Sequence, residues 1–164
     1  MPLEIRAALP RDAPAACQVM RRSIAELCAA DHRNDKSILK RWLSNKTPEI
    51  FLSWIARPDH SLLVAVEGSN ILAVGAVTDA GEITLNYVSP DARFRGVSRA
   101  LLGALEARAM ARGNTRCTLT STETARRFYR ANGYVEGGPP LGNFGTSSSY
   151  PMSKPLTRVA DIPL

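Results

Sequence analysis

Val88-Ser89-Pro90-Asp91-Ala92-Arg93-Phe94-Arg95-Gly96-Val97-Ser98-Arg99-Ala100-Leu101-Leu102 decides the fold of this chain, because an apolar strand runs through an arginine-rich turn into an amphipathic helix. The first turn of a helix carries unpaired backbone N–H groups and partial positive charge, so a polyanion can dock there. Gly96 lets the backbone come close to such a group. Arg93, Arg95 and Arg99 add full charges around the same point. The junction reads as a phosphate site.

The chain's excess charge surrounds that turn. Residues 91–130 hold nine arginines against Asp91, Glu106 and Glu123, which equals the whole net charge of +6, and the rest of the chain is neutral. A compact anionic ligand suits this distribution at least as well as a nucleic-acid surface does. Nucleic acid is not the expected partner, since neither interleaved aromatics nor a reading helix is visible. Arg108, Arg112 and Arg126 read instead as solvated helix faces. With 164 residues, 45% hydrophobic and 22% charged, the composition is that of one globular domain spanning residues 1–164. No apolar run reaches transmembrane length, and Met1 to Arg11 is short and charged, unlike a signal peptide, so no membrane partner and a cytoplasmic location are expected. Cys17, Cys28 and Cys117 are scattered and odd in number, which predicts reduced thiols, at least two of them buried. His32 and His60 are the only histidines and sit in no ligand-like cluster, so no metal is expected.

Working outward from the turn, Ile5 to Leu9 reads as a first strand, and Asp12 reads as the cap of a helix with Ala16, Met20, Ile24 and Leu27 on one face. A loop is expected near Ala29 to Asn34. Asp35 caps a second helix carrying Ile38, Leu39, Trp42 and Leu43, and Thr47-Pro48 opens a third that runs to about Ala56. Ser61 to Glu67, Ile71 to Thr78 and Glu82 to Ser89 then form an antiparallel meander through two short glycine turns. After Gly96 a helix buries Val97, Leu101, Leu105 and Ala109. Arg116 to Thr120 follows as a strand parallel to Glu82–Ser89 through a right-handed crossover. Thr124 to Asn132 reads as a short helix with Ala125, Phe128 and Tyr129 on one face, ended by Gly133. Tyr134 to Glu136 and about Ser148 to Lys154 read as closing strands, with a flexible loop from Gly137 to Gly145 between them.

The strand, Arg93-Phe94-Arg95-Gly96-Val97-Ser98, the helix, the next strand and Ala125-Arg126-Arg127-Phe128-Tyr129-Arg130-Ala131-Asn132-Gly133-Tyr134 together resemble the GNAT superfamily of acetyl-CoA-dependent N-acetyltransferases. Arg93 and Gly96 match that family's phosphate turn, whereas Ser98 stands where Gly or Ala is usual. The resemblance implies an α/β (α+β) fold: a mixed, mostly antiparallel central sheet flanked by helices, with one parallel strand pair splayed to admit CoA. It implies acetyl-CoA as cosubstrate, its pyrophosphate on the turn formed by Arg93, Phe94, Arg95, Gly96, Val97, Ser98 and Arg99. Its pantetheine would pair with backbone near Tyr87 and Val88. Thr122 stands where relatives often have an asparagine that touches the cofactor, although a threonine there can simply cap the helix.

Acetyl transfer from a thioester to an amine needs a neutral amine, donors for the acyl oxygen and a proton for the departing thiolate. Tyr129 matches the tyrosine that many relatives use as that acid; a tyrosine at its position can also be plain core. Glu82, fourteen residues before Gly96, matches the catalytic base of the family's histone-acetylating branch, and is equally well placed to be a solvated strand-edge residue. Asn86 could offer a side chain near the acetyl group, and Cys28 and His32 border the expected acceptor pocket. The expected activity is direct transfer of acetyl to a primary amine on a small molecule or peptide, in a chain for which a homodimer stays open. A non-catalytic acyl-CoA-binding domain of the same fold is the alternative, with a basic nucleic-acid-binding module behind it.

Overall fold

The computed structural model describes residues 2–143 and 146–157. In chain order these are β1 (Leu3–Ala7), α1 (Ala13–Leu27), α2 (Ala29–His32), α3 (Lys36–Leu43), α4 (Pro48–Ile55), β2 (His60–Glu67), β3 (Asn70–Thr78) and β4 (Glu82–Val88). There follow α5 (Val97–Ala111), β5 (Arg116–Ser121), α6 (Arg126–Ala131), β6 (Val135–Glu136), β7 (Leu141–Asn143) and β8 (Thr146–Pro155). The strands lie in the order β1-β2-β3-β4-β5-β8-β6, with β7 against β8. Every pairing is antiparallel except β4 with β5. This is the mixed, mostly antiparallel sheet flanked by helices that the sequence predicts.

The parallel pair is short. Its register contains only Glu82↔Thr118 and Ile83↔Leu119, after which β4 runs on to Val88 and β5 to Ser121 without pairing. On its other edge β4 stays bonded to β3 as far as Ala73↔Val88. The sheet therefore opens on one side of a strand that is held firmly on the other. Within the β3–β4 ladder Val77 pairs Ile83 and Ala76 pairs Leu85, so Thr84 is an extra residue, a β-bulge just where the opening begins.

Two apolar layers sandwich the sheet. On one face α5 buries Val97, Leu101, Leu102, Leu105 and Ala109 against Leu63, Ala65, Val77 and Ile83. Its close approach depends on Gly75 of β3, where a Cβ would lie 2.9 Å from Leu105 Cδ1. On the other face α1 packs Ala16, Met20 and their neighbours, with Phe51 of α4, against Leu62, Val64, Val74 and Leu85. The reversal at Gly81 needs glycine, because φ is +86° and a Cβ would stand 2.7 Å from the Arg116 carbonyl oxygen.

Caps at Asp35 and Thr47 form as expected: Asp35 accepts the N–H groups of Ser37 and Ile38, and Thr47 that of Ile50. Asp12 does not cap α1. Its backbone is already helical, which turns the carboxylate back onto Arg6 at 2.7 Å and the Leu9 N–H at 2.7 Å. The first strand starts earlier than predicted, at Leu3, and the expected loop at Ala29–Asn34 contains the single turn α2 before Arg33 and Asn34 adopt positive φ. The final helix is shorter than Thr124–Asn132, because Thr122 accepts the Ala125 N–H ahead of it. Part of the predicted Gly137–Gly145 loop is strand β7, drawn into order by pairing Leu141 with Ser149; Phe144 and Gly145 lie outside the described residues. Arg126 is no solvated side chain: it bridges Glu136 at 2.6 Å and lies over the Tyr150 ring at 3.6 Å. Arg112 pairs with Asp79. All three cysteines are free and buried.

Candidate active site

The predicted phosphate turn is built from a short 3-10 turn at Pro90–Ala92, opened by the Ser89 hydroxyl accepting the Asp91 N–H, and two left-handed residues. Phe94 has φ +63° and Gly96 φ +77°. A bulky side chain at positive φ is a strained conformation costing roughly 1–3 kcal/mol, and Phe94 is 94% exposed, so packing does not hold it there. Gly96 is free of neighbours within 4 Å of where a Cβ would stand, and α5 starts at the next residue. Open space therefore faces the unpaired amides at the start of a 15-residue helix. The arginines are not equivalent. Arg95 is tied to Glu67 at 2.6 Å, and Arg93 lies over the Phe94 ring at 4.7 Å. Among the described residues Arg93 and Arg99 form no ion pair, which leaves their charges for an anion. Amides, two available guanidiniums and a neighbour-free glycine fit a pyrophosphate.

From this turn a cleft of about 430 Å³ runs between the parting strands to α6. Its walls include Asn86, Tyr87 and Val88 from β4, Leu119, Thr120 and Ser121 from β5, the whole Arg93–Arg99 turn except Arg95, and Cys28, Thr122 and Tyr129. At its inner end the Asn86 Nδ2 donates to the Tyr129 hydroxyl oxygen at 3.0 Å. That bond leaves the phenolic hydrogen to be donated elsewhere. Burial pushes the Tyr129 phenol up to about 12, so it holds its proton at neutral pH. Tyr129 also packs edge-on against Phe128 and Tyr134, so its ring belongs to the core while its hydroxyl reaches the cleft.

The segment before α6 is anchored by a carboxylate that the sequence did not single out. Asp31 of α2, 1% exposed, accepts the N–H groups of Glu123 (2.6 Å) and Thr124 (3.2 Å) and the Thr124 hydroxyl (2.5 Å). These bonds fix the approach to Tyr129. Cys28 beside it has its thiol pushed up to about 12, first by burial and then by the Asp31 charge, so it carries negligible thiolate. His32 was expected at the acceptor pocket and lies instead in the core. Its Nε2 donates to the Ile24 carbonyl at 2.9 Å, its Nδ1 accepts the Asn34 N–H at 3.0 Å, and its ring packs edge-on against Trp42.

A second cavity, about 500 Å³, opens on the α1 side of β4. Trp42, Lys46, Trp54, Arg57, His60, Glu82 and Ser149 contribute to it, and Thr84, Leu85, Tyr87, Thr120 and Thr122 line both cavities. The two spaces thus meet at the bulge. Glu82 stands exposed on this side at the start of β4, its N–H bonded to the Thr78 hydroxyl. Tyr87 is held by residues of this second cavity: Trp42 Nε1 donates to its hydroxyl at 3.2 Å, and Lys46 lies 5.9 Å from its ring centre. Lys46 is 3% exposed, and burial pulls its ammonium down to about 8. Trp54, Lys46, His60 and Thr84 gave no sequence signal, because strand register and helix packing alone bring them together.

An open parallel strand pair thus leads from the start of α5 to a buried phenol, and a second cavity meets it at a bulge. A model of the acetyltransferase (GNAT) domain matches residues 28–156, and the chain belongs to the GNAT acetyltransferase family. It is therefore an acetyl-CoA-dependent acyltransferase. No curated protein matches the chain in sequence. Among solved structures it resembles a GCN5-related N-acetyltransferase from Rhodopseudomonas palustris, at 24% identity and TM-score 0.84 over 95% of this chain and 97% of that one. It also resembles the PaiA N-acetyltransferase of Thermoplasma acidophilum, solved with coenzyme A, at 20% identity and TM-score 0.83 over 95% and 100%. The Escherichia coli ribosomal-protein-S18-alanine N-acetyltransferase matches at 18% identity and TM-score 0.69 over 96% of each chain. Among the described residues no helix is long and apolar enough to cross a membrane, and no cluster of three His, Cys, Asp or Glu side chains gathers around one point.

Proposed function

We propose that this protein, acting as a single cytoplasmic domain, transfers the acetyl group of acetyl-CoA directly to a primary amine. The observation that carries the proposal is the Tyr129 hydroxyl, held by Asn86 at the inner end of the opening between β4 and β5. In this reading the pyrophosphate lies on the amides that open α5, flanked by Arg93 and Arg99, and the pantetheine lies along the unpaired edge of β4 at Tyr87 and Val88. The amine enters from the second cavity. Glu82 takes one proton from the ammonium, the freed nitrogen lone pair attacks the thioester carbon, the C–S bond breaks, Tyr129 supplies the hydrogen to the departing sulfur, and the second proton that the nitrogen sheds as the amide forms restores the phenol. Direct transfer is favoured over an acyl-cysteine, because the buried Cys28 thiol stays protonated. Thr122 acts mainly through its bond to the Ala125 N–H, shaping the wall near Tyr129. The test is incubation of the purified protein and acetyl-CoA with a panel of alkyl, arylalkyl and peptide primary amines, reading CoA thiol release and the mass of the product. An N-acetylated amine with one CoA released per product supports the proposal. CoA binding with no acetylated nitrogen in any amine would contradict it.

A further inference from the structure

On the acceptor side one buried polar atom lacks a partner: among the described residues, the Nδ1 of His60 is the buried side-chain nitrogen that makes no hydrogen bond. The other ring nitrogen, Nε2, lies 2.8 Å from the Thr84 hydroxyl oxygen. A buried N–H without an acceptor costs more than a bare lone pair, so the hydrogen belongs on Nε2, where it is donated to Thr84. A second proton would sit on Nδ1 facing nothing. Burial and then the Arg57 charge also hold the imidazole below its ordinary range, against the weaker pull of Asp59 and Glu82. His60 faces Arg57 and Asp59 from the chain before β2, Thr78 across the β2–β3 ladder, and Glu82 and Thr84 from β4.

Thr84 is the bulge residue, exposed, and it lines both cavities. Once its oxygen accepts from a neutral imidazole, the hydroxyl can no longer rotate freely and keeps one lone pair and one hydrogen for other partners. We propose that His60 is a positioning residue which fixes the Thr84 hydroxyl to seat the acceptor amine beside the acyl group. The remaining lone pair takes an N–H of the amine, and the hydroxyl hydrogen points toward the acyl oxygen. No proton changes hands at this pair, and the removal of the amine's proton stays with Glu82. The inference rests on the N-acetyltransferase reading and adds the residues that orient its acceptor.

Thr84→Val keeps the shape of the side chain and removes the hydroxyl. With the primary amine that wild type turns over fastest, it is expected to lower kcat/KM for the amine about ten- to a hundredfold, the worth of one or two hydrogen bonds near a charge, and to leave the affinity for CoA, which has no acyl oxygen, unchanged. Thr84→Ser should recover most of the loss. His60→Ala should lose less, and combining it with Thr84→Val should lower kcat/KM no further than Thr84→Val alone, since His60 acts only through Thr84. Multiplicative losses, or full activity in Thr84→Val, would overturn the pairing while leaving the N-acetyltransferase reading intact. A wild-type protein that acetylates no amine overturns both. Independently of any acceptor, nitrogen NMR of the two imidazoles in the chain should show His60 protonated on Nε2, and an Nδ1–H form would refute the arrangement.

Discussion

The two cavities that meet at β4 are made in different ways. On the proposed cofactor side the phosphate turn is a contiguous piece of chain: Arg93–Arg99 offers backbone amides at a helix start, a glycine and a few charges. The proposed acceptor side is assembled from α3, the loops around it, β2 and β4, with Lys46, His60 and Thr84 brought together by packing and register. In the proposed reading one substrate is met by local backbone and the other by distant side chains. The first surface can therefore be read as a motif in the sequence, and the second cannot.

That contrast can be broken at the point where the cavities touch. Tyr129→Phe keeps the ring and its edge-on contacts, and it should cut turnover by roughly ten- to a thousandfold, the range of a positioned acid. CoA affinity and melting temperature should change little. A purely structural tyrosine would lose stability and keep its turnover, which kinetics and thermal melts together would reveal.

On the cofactor side the arginines should separate. Replacing Arg99 or Arg93 with alanine should weaken CoA binding about tenfold each, as expected for a charge-assisted contact. Arg95→Ala should weaken it less, because that guanidinium is tied to Glu67; calorimetric titration with CoA ranks the three. Equal losses would place the phosphates elsewhere. Substitution at Gly96 is a poorer probe than its sequence suggests. Any side chain there is strained at φ +77° as well as standing in the open space, so lost affinity would mix two causes.

On the acceptor side Glu82→Gln should reduce kcat/KM about tenfold, most at low pH where the amine is protonated, with partial rescue as pH rises. A wild-type pH profile in the variant would remove Glu82 from the mechanism. The smallest effect on activity is expected at Asp12, remote from both cavities. Arg6 and the Leu9 N–H hold its carboxyl below the ordinary range, so its stabilisation is complete above the unfolded value near 4 and is lost as pH falls through the lower folded value. Asp12→Asn should cost about 1–3 kcal/mol at pH 7, with a gap to wild type that closes below about pH 4 and turnover unaltered. Denaturant melts across pH check the sign.

The same division explains what could be read in advance. The strand, turn and helix around Gly96, the meander and the parallel crossover follow from apolar periodicity and turn residues, which are local. Tyr129 stood out because its segment follows the turn in a recognisable order. Asp12 misled because a capping side chain serves whichever N–H the backbone offers, and its own φ and ψ decide that, whereas Thr122 accepts the Ala125 N–H as a residue ahead of a helix can. His32 looked like pocket lining through its nearness to Cys28 in sequence, yet α2 turns it inward onto Ile24. Strand β7 was hidden because Gly137–Gly145 has loop composition, and pairing with β8 overrides it. Asp31, His60 and Thr84 carry no sequence signal at all, since their roles depend on partners many residues away.

The most direct test of transfer across the β4 bulge is the initial-rate pattern with acetyl-CoA and amine varied together. Both substrates must be present at once if the acyl group passes straight from one cavity to the other. Intersecting double-reciprocal lines, with no CoA release before amine is added, are the predicted result. Parallel lines with a burst of CoA in the absence of amine would show an acylated enzyme and contradict direct transfer.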